Sequence, residues 1–359
     1  MLNVCLDTSV IAIPNFAEDA DFADEIISRA FEYSSAISNK LNLRVLISST
    51  AEAVLWENGC GPDEDTITAF LQMVGLHEFY SSKDVLLAYQ VLLDRSQRYP
   101  DVMWDEASDF REVESEPGIP SGIGPTALVN EAQRTMLTGV LAANRQLGVA
   151  LSLGFPGTTD VEEVVISGIV DNTCHPSQPG LTLPAAVTGT IPLLASPSLL
   201  VSEGWSKYLW NKAQAEEDFH LAIATRALSL LREAGAKPTY KDVAHFTIGP
   251  DFIGSLQDHQ AVANGRHANL VLEVCAQLAA NCCNRFQRHM GAAEKIYRGR
   301  DNAKAMRVHL TDSHEALRLM YWKTDKALEF ANVGGKFELW ISEGRAAAER
   351  ASRLEGLGI

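Results

Sequence analysis

The chain has no C-x-x-C pair among its six cysteines, no long uninterrupted apolar run, and fewer basic residues (30) than acidic ones (46). Each shortage narrows the reading. Sparse cysteines without metal spacing argue against a zinc ribbon or a disulfide scaffold and fit a reduced, cytoplasmic setting. Cys282-Cys283 reads as small-residue helix packing. A membrane-spanning helix needs roughly 18 or more apolar residues, so no membrane association is expected. The opening residues lack the basic start and long apolar stretch of a secretory signal. A formal charge of −16 repels nucleic acid globally, so any such contact must use a local basic patch. P-loop, dinucleotide and H-E-x-x-H fingerprints do not occur either.

What the chain does have begins at once. In MLNVCLDTSV, Leu2, Val4 and Leu6 form a short buried strand that runs into Asp7, Thr8 and Ser9. Groups just past the carboxyl ends of strands line the ligand crevice of an open α/β sheet, so Asp7 is a candidate site residue. The competing reading is a helix N-cap. Residues 18–43 hold Phe22, Ile26, Ile27, Ala30 and Phe31 at helical spacing, and Leu43–Ile47 reads as a second strand. It ends at Ser48-Ser49-Thr50 before a helix whose first turn carries Glu52. The helix dipole favours an acid there whatever its function. Residues 63–76 form a further helix, and His77–Tyr80 is expected as a short edge strand ahead of a helix over 85–93.

Residues 101–116 carry seven acids and one arginine, and 117–125 are rich in Gly and Pro. Together they read as a solvated surface insertion. An apolar stripe from Leu128 to Leu141 marks a helix with Glu131 in its second turn. Val149–Leu153 and Val161–Val170 read as strands, with Asp160 in the loop between them. Alternating strands and helices imply a mostly parallel, buried sheet.

With its opening strand and Asp7-Thr8-Ser9, the strand RVLISS leading to Glu52, the helix with Glu131, and the strands VALSLGF and EEVVISG, the first half resembles the PIN-domain family over residues 1–172. The resemblance implies a metal-dependent endoribonuclease that gathers carboxylates around Mg²⁺ or Mn²⁺. Asp7 carries over as the first acid and Glu52 as the second. The third falls to Glu131, where the family usually places an Asp, and the fourth to Asp160. Magnesium takes oxygen ligands and is commonly held by one or two carboxylates with waters and a phosphate.

Residues 173–200 contain five prolines and read as a linker or wrapping segment. From 201 to 359 the pattern is mainly helical, with helices over 205–234 and 260–289. A small terminal β-meander follows over 317–322, 328–330 and 337–341, then a closing helix over 344–356. The expected fold is therefore a PIN-like α/β domain, a Pro-rich linker, and a helical domain ending in the meander. His309 and His314 lack zinc spacing. Between 285 and 307 seven basic residues (Arg285, Arg288, Lys295, Arg298, Arg300, Lys304, Arg307) face two acids. This local excess is the candidate RNA-contacting surface. The first expectation is thus a nuclease whose C-terminal domain holds RNA, a protein partner or a second copy of itself. The rival is a non-catalytic interaction protein on a degenerate PIN-like fold. A phosphoryl-handling enzyme with Asp7 as nucleophile ranks below both.

Overall fold

The computed structural model describes residues 2–13, 20–38, 43–103, 106–119, 124–144, 148–154, 162–174, 182–291, 295–311, 316–338 and 340–344. The chain divides into two compact units, Met1–Leu199 and Leu200–Ile359.

The first unit follows the order β1 (Leu2–Leu6), α1 (Thr8–Ile11), α2 (Ala20–Ser38), β2 (Leu43–Ile47), α3 (Ala51–Glu57), α4 (Glu64–Met73), α5 (Ser82–Arg95), β3 (Gln97–Arg98), α6 (Tyr99–Met103), β4 (Ala107–Glu116), α7 (Thr126–Asn144), β5 (Val149–Ser152), β6 (Glu162–Thr173) and β7 (Ala185–Leu193). Its seven-stranded sheet is ordered β3-β2-β1-β5-β7-β6-β4. β1 lies at the centre of the parallel part, Leu2 opposite Leu43 of β2 and Asn3 opposite Val149 of β5. All five of its residues are buried, including Asn3, whose side-chain amide donates to the Gly148 carbonyl (3.1 Å). α7 packs on the sheet through Ala132, Met136, Leu137 and Val140, in one core with Leu151, Ile166 and Ile191.

Several expectations change here. His77–Tyr80 is a turn: Gly75 ends α4 at φ 77°, and the amides of Phe79 and Tyr80 both donate to the Leu76 carbonyl. The edge strand is β3, two residues long and paired with Leu46 and Ile47. The acidic stretch is no loose insertion, because β4 pairs antiparallel with β6 and tucks Phe110 and Val113 against the core. β6 itself runs antiparallel to its neighbours β7 and β4. The supposed linker contains β7, which lies beside β5 with Val187 and Ile191 buried. Pro192 is tolerated because it falls at the end of this strand.

α8 (Pro197–Leu200) leads into the second unit, with α9 (Glu203–Lys212), α10 (Glu216–Glu233), β8 (His245–Ile248), α11 (Phe252–Asp258), α12 (Ala268–Ala279), β9 (Gln287–His289), β10 (Lys304–His309), β11 (Arg318–Lys323) and β12 (Ala327–Gly334). The expected helix over 205–234 is two helices. Ala213 and Ala215 are extended, and the Asp218 carboxylate accepts from the Gln214 and Ala215 amides (3.1 and 3.0 Å) at the new N-terminus. The expected helix over 260–289 breaks at Gln260, Ala263, Asn264 and Asn281, all at positive φ, which a continuing right-handed helix does not allow. Cys282 lies beyond α12 and is exposed, so Cys282-Cys283 is not helix packing. In place of a small meander there is a five-stranded sheet, β8-β12-β11-β10-β9, antiparallel except where β8 joins β12. Phe246 stacks on His220 of α10 and packs against Phe330, covering one face. Met290, Ala305, Met320, Trp322 and Ile341 cluster together as a second core. The expected closing helix lies outside the described residues but for its first position, Gly344, which is not helical.

Candidate active site

β1 delivers Asp7 to the carboxyl edge of the parallel strands. The Asp7 amide donates to the Ser152 carbonyl (2.8 Å), which seals the strand end against β5. Asp7 occupies the N-cap position of α1, yet its side chain makes no cap hydrogen bond. The carboxylate is wholly buried. Oδ2 accepts from the Ser9 hydroxyl and from the Gly154 amide (3.4 Å), whereas Oδ1 has no partner. Gly154 has to be glycine, since a Cβ there would lie 2.7 Å from the Cβ of Ser9. Burial pushes the Asp7 carboxyl up from 3.8 to about 6 against the pull of these donors, and the charge of Glu131 pushes the same way.

Glu131 comes from α7 and is also buried. Thr8 Oγ1 donates to its Oε2 (3.4 Å), Thr50 Oγ1 lies 3.1 and 3.2 Å from its two oxygens, and Arg134 Nε lies 3.1 Å from Oε1. A third acid, Glu106, precedes β4 and is fully buried. It accepts from the hydroxyls of Ser48 and Ser49 (2.6 Å each) and from the Ser49 amide. Ser48 Oγ also lies 2.8 Å from Thr50 Oγ1, so hydroxyls link Glu106 to Glu131. Each hydroxyl has one proton. With Ser48 committed to Glu106 and Thr50 to Glu131, their mutual contact is one hydrogen short. The cluster therefore has more acceptors than donors, a composition that favours a proton or a cation.

Of the four acids expected, the structure brings Asp7 and Glu131 together. Glu52 sits on the exposed side of α3 with 53 % of its side chain accessible, 3.6 Å from Arg98, outside the cluster. Asp160 lies outside the described residues. Sequence reasoning missed Glu106, whose signal was faint: it is the last acid before the partly alternating strand Ala107–Glu116. Among the described residues no group of three or more His, Cys, Asp or Glu side chains is arranged to hold a metal ion by itself. His314 also falls outside them.

The basic run separates into different roles. Arg298 is internal, bonded to both oxygens of Asp301 (2.9 and 2.7 Å) and to Glu329 (2.9 Å), with its guanidinium 4.8 Å from the Trp322 ring centre. That pairing removes it from the expected RNA surface. Arg285 donates to the carbonyls of His309 and Leu310, and Arg300 to that of Glu343. Arg288, Lys295 and Lys304 are exposed, and Arg307 is partly buried.

Compared with known families, curated proteins and solved structures, the chain matches none. Among the described residues, no helix is long and apolar enough to cross a membrane.

Proposed function

We propose that the first unit is a PIN-like, metal-dependent nuclease centre that hydrolyses RNA phosphodiesters at the Asp7–Glu131 cluster. The observation that carries this reading is the Asp7 Oδ1 atom, buried and without a hydrogen-bond partner. A buried carboxylate oxygen left unpaired is costly, and a divalent cation reverses that cost. The donor set also fits: all oxygen, with two carboxylates and neighbouring hydroxyls, as hard cations require. Asp7 and Glu131 would hold the ion. When bound, Mg²⁺ or Mn²⁺ supplies an activated water and offsets phosphate charge. Ser9 and the Gly154 amide fix the Asp7 carboxylate by its other oxygen. Thr8 and Thr50 orient Glu131, while Glu106 anchors the Ser48–Thr50 turn that carries Thr50. RNA as the substrate rests on the strand-Asp-Thr-Ser resemblance.

The rival, a non-catalytic interaction protein, is favoured by one feature: Glu131 is already engaged by Arg134, Thr8 and Thr50. A cleavage panel separates the two. RNA and single-stranded DNA are incubated with Mn²⁺, Mg²⁺ or EDTA, using wild type and Asp7→Asn. The nuclease reading expects RNA cleavage that needs metal and disappears in the variant. Folded protein inert with every metal would favour the rival.

A further inference from the structure

Arg288, Arg307 and Arg318 come from three different strands of the second unit. Arg307 of β10 is directly opposite Arg288 of β9 and Met320 of β11. Arg318 is two residues from Met320, so all three guanidinium groups rise from the same face of the sheet. Arg318 is only 8 % exposed. The Nε atoms of Arg307 and Arg318 are buried and have no hydrogen-bond partner. Among the described residues, the one side-chain hydrogen bond of the trio runs from Arg318 to the Lys336 carbonyl, a neutral acceptor. Among the described residues none of the three has an ion pair. Burial, together with Arg318 and Arg288, presses the Arg307 guanidinium below its ordinary range.

The rest of the unit shows how unusual this is. Arg226, also buried, is matched by Glu273 (2.8 Å) and Glu233 (2.6 Å), and Arg298 by Asp301 and Glu329. Burying charge without a partner is expensive, and like charges side by side raise the cost. Among the described residues this trio has no such match. A counter-charge from outside the chain would offset this cost. Guanidinium forks match the tetrahedral oxygens of a phosphoryl group, and several Nε–H and Nη–H donors suit its three or four acceptors.

We propose that Arg288, Arg307 and Arg318 form a binding site for a phosphoryl group, either a free or terminal phosphate or a phosphate within an RNA strand. This site stands independently of the acid cluster in the first unit.

Calorimetric titration of the full chain with inorganic phosphate, at ionic strength held constant with chloride, tests it. The expected result is saturable phosphate binding, weakened about tenfold or more by Arg307→Gln and by a smaller factor by the exposed Arg288→Gln. Asp7→Asn leaves that affinity unchanged. Thermal unfolding guards against misfolding: without phosphate, Arg307→Gln unfolds no earlier than wild type, because it relieves repulsion. Absence of phosphate binding, or wild-type affinity in both arginine variants, would overturn the proposal, as would earlier unfolding of Arg307→Gln in chloride. Short RNAs with a 5′-phosphate or a 5′-hydroxyl then identify the source. Displacement of phosphate only by the phosphorylated RNA assigns the site to a phosphate terminus, and displacement by both assigns it to the strand.

Discussion

The acid cluster beyond β1 and the arginine cluster on β9–β11 carry opposite charge but share one property: each holds buried polar atoms that have no hydrogen-bond partner among the described residues. Both differ from Arg226 and Arg298, which are buried but matched by acids. The contrast teaches that burial of charge alone does not mark a site. A matched group closes its own account within the fold, and an unmatched one needs something from outside. Glu106 and Asp7 repeat the lesson within the first unit, since both oxygens of Glu106 are served and only one of Asp7 is.

The largest effect expected is at a matched group. Arg298→Met strands Glu329 and Asp301, and breaking such a buried pair costs about 3–5 kcal/mol. Equilibrium urea unfolding should show that loss for Arg298→Met and none for Arg307→Gln. Equal losses would erase the distinction between matched and unmatched arginines.

The next effect has opposite signs in the two units. The Asp7 carboxyl is raised from 3.8 to about 6, so between these values the native state keeps a proton that the unfolded chain has released. Its contribution falls as pH climbs through that window, leaving a cost of about 3 kcal/mol at neutral pH. Without divalent metal, Asp7→Asn should therefore be the more stable protein at pH 7.5, with the advantage fading below pH 4. His220 behaves inversely. Burial against Phe246 lowers it from 6.5 to about 4, so its contribution is complete above 6.5 and lost as pH falls toward 4. Stability measured from pH 4 to 7.5 should rise less steeply in His220→Leu and fall less steeply in Asp7→Asn. Unchanged slopes would show that neither group titrates as described.

Gly154→Ala comes third. The added methyl collides with Ser9, which holds Asp7, and overpacking of this kind costs about 1–3 kcal/mol. Melting curves should show the loss, and wild-type stability would mean that the loop yields. Glu52→Gln is the smallest change, within about 0.5 kcal/mol, because an exposed ion pair contributes little. Its cleavage activity should match wild type. A large loss of activity would return Glu52 to the centre.

How much of this was legible follows from how local each signal is. β1 and Asp7 are contiguous, so a buried apolar run ending in an acid could be read directly. Glu131 announced itself through the stripe of α7. Glu106 did not, because it stands among six other acids whose charge suggested solvent, and only the pairing of β4 with β6 shows which one turns inward. Glu52 misled because an acid in a first helical turn looks the same whether it faces a site or Arg98. In the basic run, Arg298 looked available because one of its neutralising acids, Glu329, arrives from β12, 31 residues away. Arg318 was missed for the converse reason: it joins Arg288 and Arg307 only through cross-strand register. The linker reading of residues 173–200 counted prolines without seeing the buried Val187 and Ile191 between them.

The most direct test of the central claim is Mn²⁺ binding followed by electron paramagnetic resonance, comparing wild type with Asp7→Asn. The account predicts that wild type sequesters Mn²⁺ and that the variant, although folded, loses this site. Equal binding by both proteins, or none by wild type, would contradict the assignment of the Asp7–Glu131 cluster as a metal centre.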